Sequence, residues 1–201
     1  MRDFDLKTIR SKTKNHSPLD KKLLENFDYK VLEIGAGTGM HPLSYAQKFP
    51  DRFIIAVEKT NERFGKFFRA YQKLNLKNIL PVQSHAVSWA VHNLEGLIFD
   101  EIFILYPNPN PKISDLNKRW HAMPFFGFLK SILKHRGKIT IRTNELFYAD
   151  EAEEFMSNIW GLQVEKKAFS LNNVKDFKTL FEKKYLERGQ TCFEITGLKI
   201  D

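Results

Sequence analysis

Three glycines at alternate positions form the segment that most clearly predicts a ligand site. Residues 31–39 read V-L-E-I-G-A-G-T-G, and Gly35, Gly37 and Gly39 follow a β-forming run and precede a helical pattern. Glycine lets a chain turn sharply and lets a ligand approach the backbone without meeting a Cβ atom. The spacing differs from the G-x-G-x-x-G of dinucleotide-binding folds, which disfavours a nicotinamide cofactor. A purely structural turn is the alternative interpretation.

Two glutamates accompany this loop. Glu58 ends the next apolar run, nineteen residues after Gly39. An acid at the end of the second strand of such a sheet can accept hydrogen bonds from the two hydroxyls of a ribose. Glu58 and the glycine loop therefore predict a ligand that contains ribose, and a solvated acid at a strand end is the alternative. Glu33, directly before the loop, could contact the ligand, orient the loop or pair with a nearby lysine.

A proline-rich turn and a basic stretch after it indicate a second half of the site. The turn reads Y-P-N-P-N-P-K over residues 106–112. Residues 112–142 contain eight lysines and arginines and one acid, which predicts a surface that binds phosphate groups. Charge alone does not separate RNA, DNA and a small acidic ligand, and solvated cations on separate faces are the alternative. The turn could also serve only to end a strand and stiffen a loop.

The composition excludes several classes of protein. The chain has 201 residues, 42% of them hydrophobic, a net charge of +8 and one cysteine, Cys192. This length fits one domain, and the apolar fraction excludes an intrinsically disordered chain. A lone cysteine excludes a disulfide scaffold and fits a reducing compartment, so we expect a cytoplasmic protein. We expect no membrane span, no secretory signal in the polar N-terminus and no metal site, since the histidines lack ligand spacing.

Alternating strand and helix patterns supply the elements that must position these residues. Strands separated by helices indicate βαβ units around a parallel sheet with helices on both faces, and two late strands predict an antiparallel edge hairpin. We expect a doubly wound, Rossmann-like α/β sheet of about seven strands in residues 27–201, after a polar N-terminal arm over residues 1–26. The predicted strands are 29–34, 53–57, 79–82, 99–106, 138–142, 162–168 and 192–200, and the predicted helices are 18–26, 40–49, 61–74, 86–94, 123–133, 150–160 and 177–187.

The order of the motifs resembles the bacterial tRNA (guanine-N7)-methyltransferase family over most of the chain. The glycine loop and the pair Val57-Glu58 occur in the family's order, and Ser84–Val87 stands where the family has an Asp-Ala pair. The proline-rich turn corresponds to an aromatic residue followed by Pro-Asp-Pro-Trp and then lysine. The basic pair Lys118-Arg119, Thr143-Asn144 in place of Thr-Asp, and the T-x-x-E of Thr179–Glu182 complete the series.

This resemblance implies a class I methyltransferase that uses S-adenosylmethionine and methylates guanine N7 in tRNA or another RNA. Guanine N7 carries a lone pair and no proton, so the reaction needs alignment and no general base. The residues implied to bind the cofactor are Glu33, Gly35, Gly37, Gly39, Glu58, His85 and Asn108. The residues implied to bind the target base and RNA phosphates are Lys112, Lys118, Arg119, Asn144, Thr179 and Glu182. Asn108 is also the residue implied to act in catalysis, by fixing the base.

Four positions depart from the family pattern. The family's Asp is replaced by His85, Asn108 and Asn144, and its Trp is replaced by Asn110. A neutral asparagine forms a weaker hydrogen bond than a carboxylate, so guanine recognition should weaken. Two other functions therefore stay open: an RNA-binding relative that has lost catalysis, and a methyltransferase of amines whose asparagine carbonyl accepts the amine hydrogens. For the Thr179–Glu182 motif, a helix-capping box is the alternative interpretation.

Overall fold

A seven-stranded sheet forms the centre of the protein. The computed structural model describes residues 18–174 and 176–201. The strands are β1 (Tyr29–Ile34), β2 (Arg52–Glu58), β3 (Ile79–Gln83), β4 (Phe99–Leu105), β5 (Leu133–Thr143), β6 (Gln163–Phe169) and β7 (Cys192–Leu198). Their order is β3-β2-β1-β4-β5-β7-β6. The first five strands are parallel, and β7 runs antiparallel to β5 and β6. This topology confirms the expected doubly wound sheet with an antiparallel C-terminal edge.

Helices and short helical turns connect the strands. The helices are α1 (Lys22–Glu25), α2 (Met40–Lys48), α3 (Asn61–Leu74), α4 (Ala86–Asn93), α5 (Phe125–Ser131), α6 (Leu146–Glu154) and α7 (Leu180–Glu187). The segments Ile113–Lys118, Trp120–Ala122 and Leu171–Asn173 are 3-10 turns, and a π-helical turn, Phe155–Ile159, follows α6. Within the described residues, no helix combines the length and apolar character that a membrane crossing requires.

Apolar side chains pack on both faces of the sheet. Strand β2 shows the division: Phe53 and Ile55 pack in one cluster with α4, α5 and α6, whereas Ile54 and Ala56 pack in another with α2 and α3. Successive side chains of a strand point to opposite faces, so a strand covered on both faces reads as a continuous apolar run. This explains why the β2 run was readable from the sequence.

Strand β5 begins five residues before its predicted start at Lys138. Phe99 of β4 pairs with Leu133, and the register then shifts so that Glu101 pairs with Lys138. The residues between these two pairs, 134–137, form a bulge in which Arg136 has a φ of 61°. Their sequence, K-H-R-G, shows none of the apolar alternation that predicts a strand.

Two helix starts also differ from the sequence prediction. Helix α6 begins at Leu146, ahead of the predicted residue 150, and the exposed Leu146 and Phe147 obscure its amphipathic pattern. Helix α7 begins at Leu180, after the predicted residue 177, because the Thr179 side chain caps it. A capping side chain therefore decides where α7 starts, whereas α6 starts after Glu145 without a side-chain cap.

The predicted N-terminal arm is described only in part, because residues 1–17 lie outside the described residues. The helix expected over residues 18–26 is the single turn α1. Its Leu24 side chain is buried in the core, and the Leu19 N–H donates to Asn93 Oδ1 at 2.7 Å. The segment that directly precedes β1 therefore contacts the domain.

Candidate active site

The glycine loop lies at the carboxyl end of β1, between β2 on one side and β4 on the other. Ligands of doubly wound sheets bind at such a switch point. Gly35, Gly37 and Gly39 all have positive φ angles, of 78°, 59° and 84°. A Cβ atom at Gly39 would overlap the ring of Phe67, whereas a Cβ at Gly35 or Gly37 would meet no atom within 4 Å. Gly39 thus allows α3 to pack closely, and the other two glycines border open space.

Glu58 fastens the glycine loop to the start of α3. Its carboxylate is 4% exposed. Oε2 accepts the Gly37 N–H at 2.8 Å, and Oε1 accepts the Thr60 N–H at 2.8 Å and its hydroxyl at 2.7 Å. A carboxylate has about four lone-pair sites, so Oε2 can accept one further hydrogen bond. Glu58 can therefore hold the loop and contact a ligand at the same time.

Glu33 forms a buried pair with His41, which we did not identify from the sequence. His41 Nδ1 lies 2.7 Å from Glu33 Oε2, and the two residues are 6% and 1% exposed. The ring of His41 also contacts Phe103 of β4 edge-on. A ligand contact of Glu33 would therefore act through His41. The sequence signal for this pair is weak, since only their separation by eight residues across the loop links them.

Two adjoining cavities open beside the loop. The α3–α7 cavity, about 390 Å³, is bordered by Gly35, Gly37 and His41 together with the first turns of α3 and α7. The Glu58 cavity, about 310 Å³, is bordered by Gly35, Glu58, His85 and Asn108. The residues common to both cavities are Gly35, Arg63, Leu105 and Tyr106. Most of the expected cofactor residues thus border these two adjoining cavities, which together form the opening of the site.

Left-handed backbone conformations shape the proline-rich turn. Tyr106 and Asn110 have φ angles of 51° and 46°. Asn108 Oδ1 accepts the Asn110 N–H at 3.2 Å, and Asn110 Nδ2 donates to the Asn108 carbonyl at 3.1 Å. Asparagine tolerates the left-handed region better than bulky residues do. The departure from Trp at residue 110 therefore fits the conformation of this turn.

The buried Arg119 side chain binds the backbone of the proline-rich turn. It is 4% exposed. Its Nε donates to the Asn110 carbonyl at 3.1 Å, and Nη2 donates to the carbonyls of Pro111 and Lys112, both at 3.2 Å. Nη1 donates to the two carboxylate oxygens of Glu151 at 2.6 and 2.7 Å. Because the guanidinium has five N–H donors, these contacts use them all, and the expected contact of Arg119 with an RNA phosphate does not fit this geometry.

His121 completes the cluster behind the turn. Its Nε2 lies 2.6 Å from Glu151 Oε2, and its ring is fully buried. Burial lowers the pKa of His121, although Glu151 acts in the opposite direction. Burial raises the pKa of Glu151, but the hydrogen bonds from Arg119 and His121 outweigh it and lower that pKa. At neutral pH the cluster therefore contains a neutral imidazole and an ionised carboxylate, and His121 Nδ1 has no partner within the described residues.

The Thr179–Glu182 motif is a helix cap with a second task. Thr179 Oγ1 accepts the Glu182 N–H at 3.0 Å, which is one of the two bonds of a capping box. The second bond is shifted by one residue, because the Glu182 carboxylate accepts the N–H of Lys178 at 3.0 Å and not that of Thr179. Glu182 is fully buried, and its Oε2 also accepts the Tyr106 hydroxyl at 3.0 Å and Arg142 Nη1 at 2.8 Å. Thr179 borders the α3–α7 cavity. Glu182 acts on the site through Tyr106 and does not reach the cavity itself.

Asn144 lies at the carboxyl end of β5, apart from the other expected substrate residues. Its Nδ2 donates to Glu145 Oε1 at 3.0 Å and lies 3.4 Å from Gln190 Oε1. It borders neither cavity. Within the described residues, no group of three or more His, Cys, Asp or Glu side chains could hold a metal ion.

The cations of residues 112–142 do not form the single surface that we expected. Arg119 is buried, and Arg142 pairs with Glu182 and Glu194. The bulge and the residue that follows it, at the end of the sheet opposite the glycine loop, carry three further cations: Lys134, Arg136 and Lys138. Lys112 and Lys118 alone remain exposed beside the turn, and Lys118 pairs with Asp115 at 2.8 Å.

Other cations, which the sequence interpretation missed, border the cavities. They are Lys59, Arg63, Lys66 and Lys184. The sequence signal for the first three is their position at and just after the carboxyl end of β2, where ligands of such sheets bind. The positive potential at the site therefore comes mainly from α3 and α7.

Solved structures show the same fold. A 16S rRNA methyltransferase, KamB, matches with a TM-score of 0.70 and 18% identity over 92% of this chain and 95% of that one. An antibiotic-related methyltransferase matches with a TM-score of 0.65 and 21% identity over 94% of this chain and 98% of that one.

Sequence relatives define the family. A family model described as "Putative methyltransferase" matches residues 28–195. The tRNA (guanine-N(7)-)-methyltransferases of Thermotoga maritima and Mycoplasmopsis pulmonis are 25% and 29% identical over 85% of this chain. The match spans 54% of the Thermotoga protein, about half its length, and 87% of the Mycoplasmopsis protein. The chain therefore belongs to this methyltransferase family, as a divergent relative of the tRNA (guanine-N(7)-)-methyltransferases.

Proposed function

We propose that this protein transfers a methyl group from S-adenosylmethionine to RNA, and that guanine N7 of tRNA is its target. The observation that carries the proposal is the pair of adjoining cavities around Gly35, at the switch point of the sheet. The glycine loop, the hydrogen-bonded carboxylate of Glu58 and the proline-rich turn all border these cavities. The names of the curated relatives support the choice of tRNA guanine as the substrate.

The residues of the opening fit this cofactor. Gly35 and Gly37 leave space on the cavity side where a side chain would stand. Glu58 has one lone pair free for a ribose hydroxyl, and His85 borders the same cavity. We place the adenosine end in the Glu58 cavity and the amino-acid end in the α3–α7 cavity, beside His41. When bound, the cofactor supplies a methyl group on a positively charged sulfur.

Asn108 and Tyr106 would hold the target base between these cavities. Their role would be to present the lone pair of guanine N7 to the methyl group that the bound cofactor would supply. No proton moves, so the protein has to align N7 and fix the plane of the base. Burial raises the pKa of Tyr106 well above its usual value, so its hydroxyl stays protonated and donates to Glu182. This hydrogen bond fixes the position of the Tyr106 ring beside the opening.

The amine alternative requires the Asn108 carbonyl oxygen to accept hydrogens from an amine. This oxygen accepts the Asn110 N–H and has a second lone pair, so the geometry of Asn108 suits either substrate. The names of the curated relatives favour guanine over an amine. The loss-of-catalysis alternative predicts RNA binding without methyl transfer, and the assay below separates it from the proposal.

Two measurements test the proposal in sequence. Isothermal titration should show S-adenosylmethionine binding to the intact chain, and the absence of binding up to millimolar ligand would refute cofactor use. Labelled methyl transfer to bulk tRNA that lacks 7-methylguanosine, followed by nucleoside mass spectrometry, should yield 7-methylguanosine. Cofactor binding with no methylated nucleoside would reject this substrate and favour the RNA-binding alternative.

A further inference from the structure

We propose that the first turns of α3 and α7 form a stacking site for a nucleotide of the bound RNA, with Phe181 as the aromatic face and Arg63 as its cationic partner. The inference rests on the proposed function, because it names how the RNA substrate is held beside the same opening. Arg63 lies outside the sequence motifs, and Phe181 occupies a variable position of the T-x-x-E motif.

The geometry of Phe181 and Arg63 resembles that of a base-stacking platform. Both border the α3–α7 cavity, and the Arg63 guanidinium carbon lies over the Phe181 ring, 5.4 Å from its centre. Phe181 is 40% exposed and the adjacent Leu180 is 57% exposed. Nucleic-acid bases stack on both phenyl rings and guanidinium planes, and such contacts tolerate every base. The exposed ring at a cavity mouth therefore has a partner of the right chemistry in an unpaired base.

A row of aromatic rings links this platform to the proline-rich turn. Phe181 and Tyr185 stack with ring centres 6.2 Å apart and planes 20° apart, and Tyr185 lies 5.9 Å from Tyr106. Tyr106 borders both cavities and is hydrogen-bonded to the buried Glu182. A nucleotide stacked on Phe181 would therefore lie next to the nucleotide that enters the opening.

The charges around the platform suit a phosphate backbone. Lys59, Lys66 and Lys184 lie on the same cavity walls as Arg63. Glu62, the acid among them, pairs with Lys66 at 2.8 Å. Arg63 is exposed and borders both cavities, so a phosphate at the opening would meet its guanidinium. Exposed cations interleaved with an aromatic ring favour a single-stranded segment of RNA over a protein surface.

The test is binding of a fluorescently labelled tRNA transcript to the full chain, measured between about 50 and 200 mM salt. Phe181→Ala should weaken binding about tenfold without changing the salt slope, because the ring carries no charge. Phe181→Tyr should restore the affinity. Arg63→Met should weaken binding and reduce the slope by about 0.7 to 0.9, as loss of one phosphate contact does.

Lys73→Ala is the matched control for Arg63→Met. Lys73 is exposed on α3, roughly 15 Å along the same helix from Arg63. The control should bind the transcript as the wild type does. Binding of S-adenosylhomocysteine, measured by titration calorimetry, should stay within about twofold of the wild type in Lys73→Ala. Because Phe181 and Arg63 also border the proposed cofactor cavities, their variants should lose less affinity for S-adenosylhomocysteine than for the transcript.

Three outcomes would overturn the inference. Wild-type affinity in both Phe181→Ala and Arg63→Met would show that RNA does not use this site. An equal loss of S-adenosylhomocysteine and RNA affinity in Phe181→Ala would make Phe181 a wall of the cofactor site. If the wild type itself bound the cofactor product but no transcript, the RNA part of the proposed function would fail together with the stacking site.

Discussion

Asn108 presents both kinds of hydrogen-bonding group, and the protein uses only one of them. The side-chain oxygen accepts the Asn110 N–H, and Nδ2 forms no hydrogen bond within the described part of the chain. The family resemblance places an aspartate here, which would accept from N1–H and the amino group of guanine. An aspartate could keep the contact with Asn110 and add a charge-assisted bond to the base.

We therefore expect Asn108→Asp to raise kcat/KM for guanine in tRNA by roughly tenfold, the effect of about 1.4 kcal/mol. Asn144→Asp restores the second family acid but lies outside both cavities, so it should change kcat/KM little. Initial rates with the two single variants and the double variant measure this. No gain in the double variant would indicate a different substrate.

The residue scale also shows where sequence interpretation reached its limit. The position of Gly35, Gly37 and Glu58 beside one opening could be predicted, because their residue types and spacing are typical of one backbone geometry. The sequence predicted that Arg119 contacts RNA, whereas its side chain donates to three backbone carbonyls. A basic residue in a polar segment has the same sequence pattern in either environment. His41 was missed because its partner, Glu33, lies across the loop and not at helical spacing.

At the scale of elements, Arg119, Glu151 and His121 join the proline-rich turn to α6. Removing one partner of a buried ion pair leaves the other charge unpaired, which commonly costs about 3 kcal/mol. We expect Arg119→Met to lower the free energy of unfolding by about that amount and to lower kcat, since the turn that carries Asn108 loses its support. Urea denaturation and initial rates measure the two effects.

Lys118→Met is the control, because Lys118 is exposed and forms one surface ion pair. Its effect on stability should stay below about 1 kcal/mol. If Arg119→Met were as stable and as active as Lys118→Met, the turn would not depend on this cluster.

The same cluster should make stability depend on pH. The pKa of His121 lies below its ordinary value of 6.5 in the folded protein, so the unfolded chain binds a proton first as the pH falls. Stability contributed by the neutral imidazole is therefore present above pH 6.5 and decreases below it. We expect a lower free energy of unfolding at mildly acidic pH than at pH just above neutrality.

NMR titration of the His121 ring measures the shift directly, without a substitution in the core. His135→Gln removes an exposed histidine in the β5 bulge and should keep the wild-type pH dependence. An ordinary titration of His121 in the folded protein would contradict the prediction.

The bounds of an element were predicted correctly where its apolar pattern runs along its whole length. Helix α3 and strand β1 match the predicted ranges because their apolar patterns are complete. The start of β5 could not be predicted, because a register shift between two strands is a tertiary event that the polar K-H-R-G sequence does not announce. The start of α7 depends on one capping bond from Thr179.

At the scale of the whole molecule, the described cations include two groups that lie far apart. One group of cations lies on the amino end of the sheet, and another surrounds the cavities at the carboxyl end. Only the second group adjoins the proposed site. The net charge of the sequence indicated a polyanionic partner. Because β5 runs parallel to β1, the cations at its amino end lie at the end of the sheet away from the glycine loop, where such a partner at the site would not meet them.

We therefore expect the double variant Arg136→Gln, Lys138→Gln to keep the tRNA affinity and salt slope of the wild type, although it loses two positive charges. Binding of the transcript over the same salt range measures this, with Arg63→Met as the contrasting variant. A slope reduced as much as in Arg63→Met would show that the amino end of the sheet also contacts RNA.

The bulge in β5 is a position at which residues could be inserted into the chain. Residues 134–136 are exposed, and Phe99 and Glu101 of β4 pair on either side of them. Lengthening a surface loop adds little closure entropy, since each doubling of loop length costs only about 0.6 kcal/mol. A short peptide tag inserted between Lys134 and His135 would therefore leave the opposite end of the sheet intact, so the protein could be immobilised or labelled there while its opening stays accessible.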